Sequence, residues 1–376
     1  MNLIYKNNER SLTLGVEMEL QLIDADTLRL TPKASEFLTA IKSDKLTKEM
    51  FKSTLEIITG VCNNVHEVID DFNDTLVEVK KFAEINNIRF AGTGTNPVAN
   101  YNNRLISSGD RYNELVDKNQ WLIKRMAVYG LHVHIGMKSG EDCMRFNQFF
   151  LRFVPHLIAF SASSPFWRNV DTGLAASRPT MYEAHPTSGI PYLSKNWDDF
   201  ERVYNSMKAT GSINSIKDIW WDIRPSPAYG TIELRMCDGP ATMMELESLV
   251  AFIHLLAHWF EENGESYFKE FAPIPDRWII RENKWRAIRY GLDAEIIDPD
   301  SLEVKPIVET LLLWIEKLSP QIKKLRYEKQ IENFMAVLKY GNSSTRQRKV
   351  ALNSNSLLEL VEHNISEWEL GKPIWN

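Results

Sequence analysis

The sequence predicts an α+β chain organised around a largely antiparallel β-sheet flanked by helices. Three features predict it. Residues 12–23 alternate strictly between apolar and polar side chains. Two further alternating segments flank the turn residues PSPAYG and read as a hairpin over 218–237. Helical stretches separate the strands in irregular order, without a Gly-rich strand–turn–helix motif, which argues against a doubly wound parallel sheet, a P-loop and a dinucleotide fold.

In the first strand, Leu12, Leu14, Val16, Met18, Leu20 and Leu22 share one face; Thr13, Gly15, Glu17, Glu19 and Gln21 share the other. Residues 65–83 change period: Val65, Val68, Ile69, Phe72, Leu76, Val79 and Phe82 follow helical spacing. A strand follows at 88–94, then helix-permissive sequence from 110 to about 128. GLHVHIGM alternates again, with His132 and His134 opposite Leu131, Val133, Ile135 and Met137. Helices are predicted at 141–161 and 197–208. In the hairpin, Trp221 and Ile223 oppose Asp222 and Arg224, and Ile232, Leu234 and Met236 oppose Thr231, Glu233 and Arg235. Helices at 241–263 and 306–325 and a helical last fifty residues complete the reading, with no internal boundary that divides residues 1–376.

Composition narrows the function. A net charge of −6 with both signs dispersed lacks the basic footprint of a nucleic-acid binder. Cys62, Cys143 and Cys237 are odd in number and widely spaced, which suits a reducing, cytoplasmic setting better than a disulfide framework or a zinc site. The N-terminal MNLIYKNNER has no apolar signal core, and the apolar run Leu249 to Phe260 is too short to span a bilayer.

The chemistry concentrates on strands. Glu17 with Glu19, His132 with His134, and Glu233 with Arg235 are each two apart, so each pair projects from one face about 7 Å apart at a rise of ~3.3 Å per residue. Any one pair is more simply a solvated sheet face. Three pairs of this composition predict a charged concave wall, and clustered carboxylates call for a hard divalent cation, Mg²⁺ or Mn²⁺, rather than zinc.

The segments TLGVEMEL, STLEIITGVC, GTGTNP, LHVHIG, SRPTMYEAHP, WWDIRPSPAYGTIELR and STRQRKV, in this order along nearly the whole chain, resemble the motifs of the type 2 glutamate–cysteine ligases, a carboxylate-amine ligase family. The resemblance implies a fold like the glutamine synthetase catalytic domain, with an antiparallel sheet forming a funnel for ATP, divalent metal and a carboxylate substrate. It places Glu17, Glu19, Glu49, Glu56, His132 and Glu233 as metal ligands and His134 near the ATP phosphates, although spacing alone does not separate the two histidines. Arg235 and Arg224 match residues that stabilise the transferring phosphoryl group or the substrate carboxylate. Arg178, Arg346 and Arg348 are candidates for nucleotide contacts, and Arg111 for another anion contact.

Glu49 lies seven residues before Glu56, which on one regular strand would put the two on opposite faces; it needs a loop or bulge to join. Lys52 departs from the acid some relatives carry there. Gly92, Gly94 and Pro97 are expected to shape a loop at the mouth. His254 and His258 read as packed residues or as a subunit contact. The implied reaction joins a glutamate-like carboxylate to a cysteine-like amine through an acyl phosphate, in a homodimer with no nucleic-acid or membrane partner. The alternatives are a metal-dependent amidohydrolase-type hydrolase and a non-catalytic nucleotide-binding protein.

Overall fold

The computed structural model describes residues 3–9, 11–100 and 105–375. Its centre is a seven-stranded antiparallel sheet: β1 (Leu14–Asp24), β2 (Leu46–Lys48), β3 (Thr54–Ile58), β4 (Ile88–Ala91), β5 (Gly130–Gly136), β6 (Ile223–Ser226) and β7 (Thr231–Asp238). The order across the sheet is β6-β7-β5-β1-β3-β2. β1 is long enough to hold three neighbours. β3 takes one edge, while β5 and then β4 share the other.

Each strand's apolar set points to one side. Leu14, Val16, Met18, Leu20 and Leu22, together with Leu131, Val133 and Ile135, are buried in the main core. The helices Val65–Ile85, Gly140–Phe150, Val154–Ser161 and Met243–Glu270 supply the other half of that core. Stripping these side chains from water is the main driving force for the arrangement, at roughly 25 cal/mol per Å² of apolar area. The opposite face of the sheet is left to polar side chains.

Several elements differ from the expected ones. The helix expected at 141–161 breaks after Phe150 into a 3₁₀ turn, and a new helix starts with Pro155 in its first turn, where a missing N–H costs nothing. The helix expected at 306–325 likewise divides near Pro320. The hairpin begins at Ile223, because Trp220–Trp221 pairs in parallel with Ser188–Gly189 in a separate ladder. The helix containing Leu249 to Phe260 extends over Met243–Glu270, so its length alone would let it cross a membrane, but 78% of its apolar window is buried inside the fold. The helix Arg277–Tyr290 and the small hairpin Glu295–Ile297/Val304–Pro306 were not expected at all.

His254 and His258 are packed residues. His254 bridges the Tyr327 hydroxyl (2.9 Å) and the Leu12 carbonyl (2.9 Å), and His258 lies 3.1 Å from His254. The Gly92–Pro97 loop is interior, away from the cleft mouth. A Cβ on Gly92 would fall 2.3 Å from the Pro240 carbonyl oxygen, and one on Gly94 would fall 2.8 Å from the Asp238 carboxyl carbon. These glycines therefore serve close approach of backbone to the end of β7.

Candidate active site

The polar face of the sheet floors a cleft of about 490 Å³. Strand register explains why its charged residues converge. Glu17 lies opposite His132, and Glu19 opposite Glu56. His134 lies opposite Glu233, which lies opposite Arg224. Directly paired residues share a face, so alternation within each strand and pairing between strands act together. Arg235 follows Leu234 into a β-bulge before pairing resumes at Cys237, and its N–H donates to the Asp222 carbonyl at 2.8 Å. Bulges re-aim side chains in this way.

Glu49 joins the cluster by a route that single-strand parity hides. β2 and β3 form an antiparallel pair in which Thr47 is opposite Glu56. Glu49 comes two residues after Thr47, on the same side. Its carboxylate groups with Glu19 and Glu56, one oxygen from each lying within 4.8 Å of the others. Two further sets meet the same limit: Glu17 with Glu56 and His132, and Glu17 with His134 and Glu233. Glu17 and Glu56 are thus each shared between two sets. Both histidines are within reach of a cation, His132 on the Glu56 side and His134 on the Glu233 side.

Charge is unevenly balanced. Glu233 is fully buried and receives Arg224 through Nε at 2.8 Å, and Arg235 as well. Burial alone would raise its pKa, but the two guanidiniums hold it down at about 2. Glu17 accepts from His132 Nδ1 at 3.0 Å and lies 3.2 Å from His134 Nε2. These contacts overcome the burial penalty and hold its carboxyl well below the usual range. His132 is driven down to about 4, by burial and then by Arg235.

The Glu19–Glu49–Glu56 corner is different. Glu19 accepts the Gly130 N–H at 2.5 Å, Glu49 the Met50 N–H at 3.2 Å, and Glu56 the Thr47 hydroxyl. Burial pushes Glu19 to about 7 against the pull of Arg178, with Glu56 adding repulsion. Burial and then repulsion from Glu19 push Glu49 to about 7, and burial and then Glu49 drive Glu56 well up. Carboxylates crowded in this corner, with Glu56 buried and Glu19 and Glu49 half-buried, and so short of compensating charge, fit a hard, oxygen-preferring cation.

Arg178 lies beneath this corner. Its guanidinium donates to the Cys237 carbonyl at 3.0 Å, and a Cβ on Gly130 would fall 2.1 Å from its Nη2. Glycine at 130 therefore makes room for Arg178, while its backbone N–H, as any residue but proline could, reaches Glu19. Arg111 lines the rim with Tyr112, Trp220 and Tyr229.

Comparison with known proteins agrees with this geometry. The family model described as glutamate-cysteine ligase family 2 matches residues 13–362. The chain belongs to that family. As a glutamate–cysteine ligase family 2 member it is 43% identical, over 85% of its length and 85% of the relative's, to a Bdellovibrio bacteriovorus protein named "Putative glutamate–cysteine ligase 2". A Frankia alni protein named "Putative glutamate–cysteine ligase 2-1" is 36% identical over 98% of both chains. Among solved structures, the Francisella tularensis glutamate–cysteine ligase in complex with AMP superimposes with a TM-score of 0.68 at 13% identity, over 96% of this chain and 90% of that one. A bifunctional glutathione synthetase from Pasteurella multocida gives 0.69 at 13% identity; it covers 96% of this chain, which spans about half (52%) of the larger enzyme. At such identity these two establish a shared fold.

In this family 2 member, two arginines singled out from the sequence lie outside the cleft. Arg346 is buried between Glu245 (2.9 Å) and Glu367 (2.6 Å), joining its own helix to the helices Met243–Glu270 and Leu357–Leu370. Arg348 pairs with Asp171 at 2.8 Å on the surface and caps the Leu174 carbonyl. Both lie on the helix Ser343–Asn353, and both are committed to protein acceptors. Lys52 sits in the turn between Phe51 and β3 and does not line the cleft. Sequence reasoning missed Tyr182, which lines the cleft wall, and the charged residues behind it. Tyr182 and Glu183 stand within the SRPTMYEAHP segment, which was the available signal.

The acidic corner predicts a pH-dependent response to cations. Carboxyls raised to about 7 hold protons that the unfolded chain releases near 4.5, so they make folding less favourable as pH rises through that window. Depressed histidines such as His132 act with the opposite sign from about 4 to 6.5, which is why a difference measurement is needed. A cation taken up there would bind the deprotonated cluster and compete with those protons. The increase in Tm produced by Mg²⁺ is therefore expected to grow from about pH 5.5 to about pH 8, and Glu49→Gln to flatten that growth. An equal Mg²⁺ effect at both pH values would show that these carboxyls do not receive the ion.

Proposed function

We propose that this protein is an ATP- and Mg²⁺- or Mn²⁺-dependent carboxylate-amine ligase that activates a glutamate-like carboxylate as an acyl phosphate and transfers it to a cysteine-like amine. The observation that carries the reading is the convergence, on one sheet face, of Glu17, Glu19, Glu49, Glu56, His132, His134 and Glu233 with Arg224 and Arg235, in a member of this ligase family. A carboxylate is a poor electrophile, so it must first gain a better leaving group. When bound, divalent cations would neutralise charge on the triphosphate and align it with the acceptor.

The chain's own residues supply the rest. Glu17 and Glu56, each shared between two ligand sets, would help hold the divalent cation that neutralises phosphate charge. His134, whose Nδ1 lies 2.8 Å from the Thr231 hydroxyl, is oriented by that contact. Arg235 and Arg224 would stabilise equatorial oxygens of the transferring group, and the planar fork of each suits them to do so. Arg178, which lines the cleft and is tied to the Cys237 carbonyl, places a positive charge beside Glu19. We place the reaction in the cytoplasm, in keeping with three unpaired, buried cysteines, and assign it to a homodimer, the commonest symmetric oligomer. A hydrolase of the amidohydrolase type is disfavoured, since His132 and His134 are the histidines among the described residues lining the cleft.

The experiment traps the intermediate. With ATP, Mg²⁺, glutamate and hydroxylamine, the expected product is γ-glutamyl hydroxamate with one ADP per hydroxamate. With ¹⁸O in the substrate carboxylate, one label is expected in the released phosphate. AMP and pyrophosphate with the label in AMP would mean adenylation. ADP release with unlabelled phosphate would exclude an acyl phosphate.

A further inference from the structure

Behind the cleft wall lies a buried charge cluster that the proposed chemistry does not use. Lys284, on the helix Arg277–Tyr290, is 2% exposed. Its ammonium lies 2.6 Å from Asp222 and 2.7 Å from Glu183. Asp222 is fully buried and also accepts the Tyr182 hydroxyl at 3.0 Å. A lysine, a carboxylate and a phenol buried together are costly to desolvate and are not what a core needs for stability.

The cluster's two outlets lead to the site. The Asp222 carbonyl is the acceptor for the Arg235 N–H at the β-bulge, so the residue that anchors Lys284 also fixes where Arg235 leaves the strand. The Tyr182 ring lines the cleft and lies 5.3 Å from the Arg178 guanidinium, which also donates to the Cys237 carbonyl on β7. Lys284 itself stands 5.9 Å from the same ring. A bulge is the most easily displaced part of a ladder, because one residue has no cross-strand partner. The bulge lies on the β5 side of β7; on the other side the Arg235 N–H keeps its bond to the Asp222 carbonyl, and the ammonium 2.6 Å from the Asp222 carboxylate anchors that residue.

We infer that Lys284 is a positioning residue: through Asp222 and Tyr182 it holds the Arg235 bulge and the Arg178 guanidinium in register with the acidic cluster. The inference rests on the ligase reading for its kinetic consequence, but not for its structural one. A misplacement of about 1 Å at a reacting group can cost on the order of 10²-fold in rate, so the effect falls on kcat more than on KM.

Lys284→Met alone strands Asp222 in the interior, so the informative variant is Lys284→Met/Asp222→Asn, which removes both charges and keeps an oxygen for Tyr182. Kinetics with ATP, Mg²⁺, glutamate and cysteine are read together with hydrogen–deuterium exchange over residues 222–238. The expected result is a kcat at least about tenfold lower with KM within about threefold, and faster exchange confined to that segment. In an Arg235→Lys background the same pair of changes is expected to alter kcat by less than about twofold, because the two act as one unit. Arg346→Lys, in the buried pair with Glu245 and Glu367, is the control that lowers Tm without moving exchange at 222–238. Unchanged exchange in a folded paired variant, or full additivity with Arg235→Lys, would overturn the inference. If the wild-type protein releases no ADP with any carboxylate, the ligase reading fails by itself, and exchange still decides the role of Lys284.

Discussion

Glu17→Gln is expected to lower ADP release by more than about 100-fold, beyond the loss typical of a group that only orients a metal ligand. The size follows from sharing. Glu17 contributes to the set with Glu56 and His132 and to the set with His134 and Glu233, so one substitution damages two cation positions. Glutamine is nearly isosteric and can still contact the histidines, which keeps the fold and isolates the charge. Glu49 belongs to one set only, and Glu49→Gln is expected to cost less than Glu17→Gln. The measurement is steady-state ADP release at saturating substrates, beside circular dichroism and Tm to establish folding. Equal losses in the two variants would contradict the shared arrangement. Activity that persists in excess chelator would remove the cation from the reaction altogether.

The second large effect concerns Arg235. Arg235→Lys keeps the charge but exchanges a planar fork for a single ammonium. Arg235 is bound to Glu233, and Glu17 and Glu19 also contribute to its electrostatic environment. Lysine can satisfy Glu233 or reach toward a phosphoryl oxygen, but not with the same two-point geometry. A fall in kcat of at least about tenfold is expected, since removal of one preorganised donor typically costs about 10²–10³. Nucleotide affinity, read by titration calorimetry, should change much less than kcat. An unaltered kcat would place Arg235 outside the reacting centre.

Glu233 sharpens both expectations. It is fully buried with two arginines upon it, an arrangement that breaks asymmetrically. Removing one arginine leaves the other as partner, whereas removing Glu233 leaves two buried cations facing each other. Arg235→Lys is accordingly the safer variant for kinetics, and Glu233 the poorer place to begin.

How far the sequence reached can be judged residue by residue. Period-two alternation in 14–22 and 131–137 was enough to put Glu17, Glu19, His132 and His134 on polar faces, because the pleat fixes side-chain direction whatever the partner strand is. The hairpin placed Arg224 and Glu233 for the same reason, whereas Arg235 stands at a bulge that only the pairing with β5 reveals. Arg346 and Arg348 could not be sorted this way. An arginine's fork suits a phosphate and a buried carboxylate equally, and only three-dimensional packing shows that Glu245, Glu367 and Asp171 occupy them.

By itself, then, the sequence determined the α+β class, the inward and outward faces of the long strands, and the chemical character of one sheet face. Those follow from local geometry and from the hydrophobic pattern, which act over a few residues. The tertiary structure decided how the faces meet. It brought Glu49 to Glu56 through the β2–β3 register, turned Arg235 at a bulge, set Arg178 against Gly130, and placed Lys284 from a distant helix on Asp222. Each of these depends on contacts between segments far apart in the chain, where pairing register and packing, rather than local periodicity, determine which charges become neighbours.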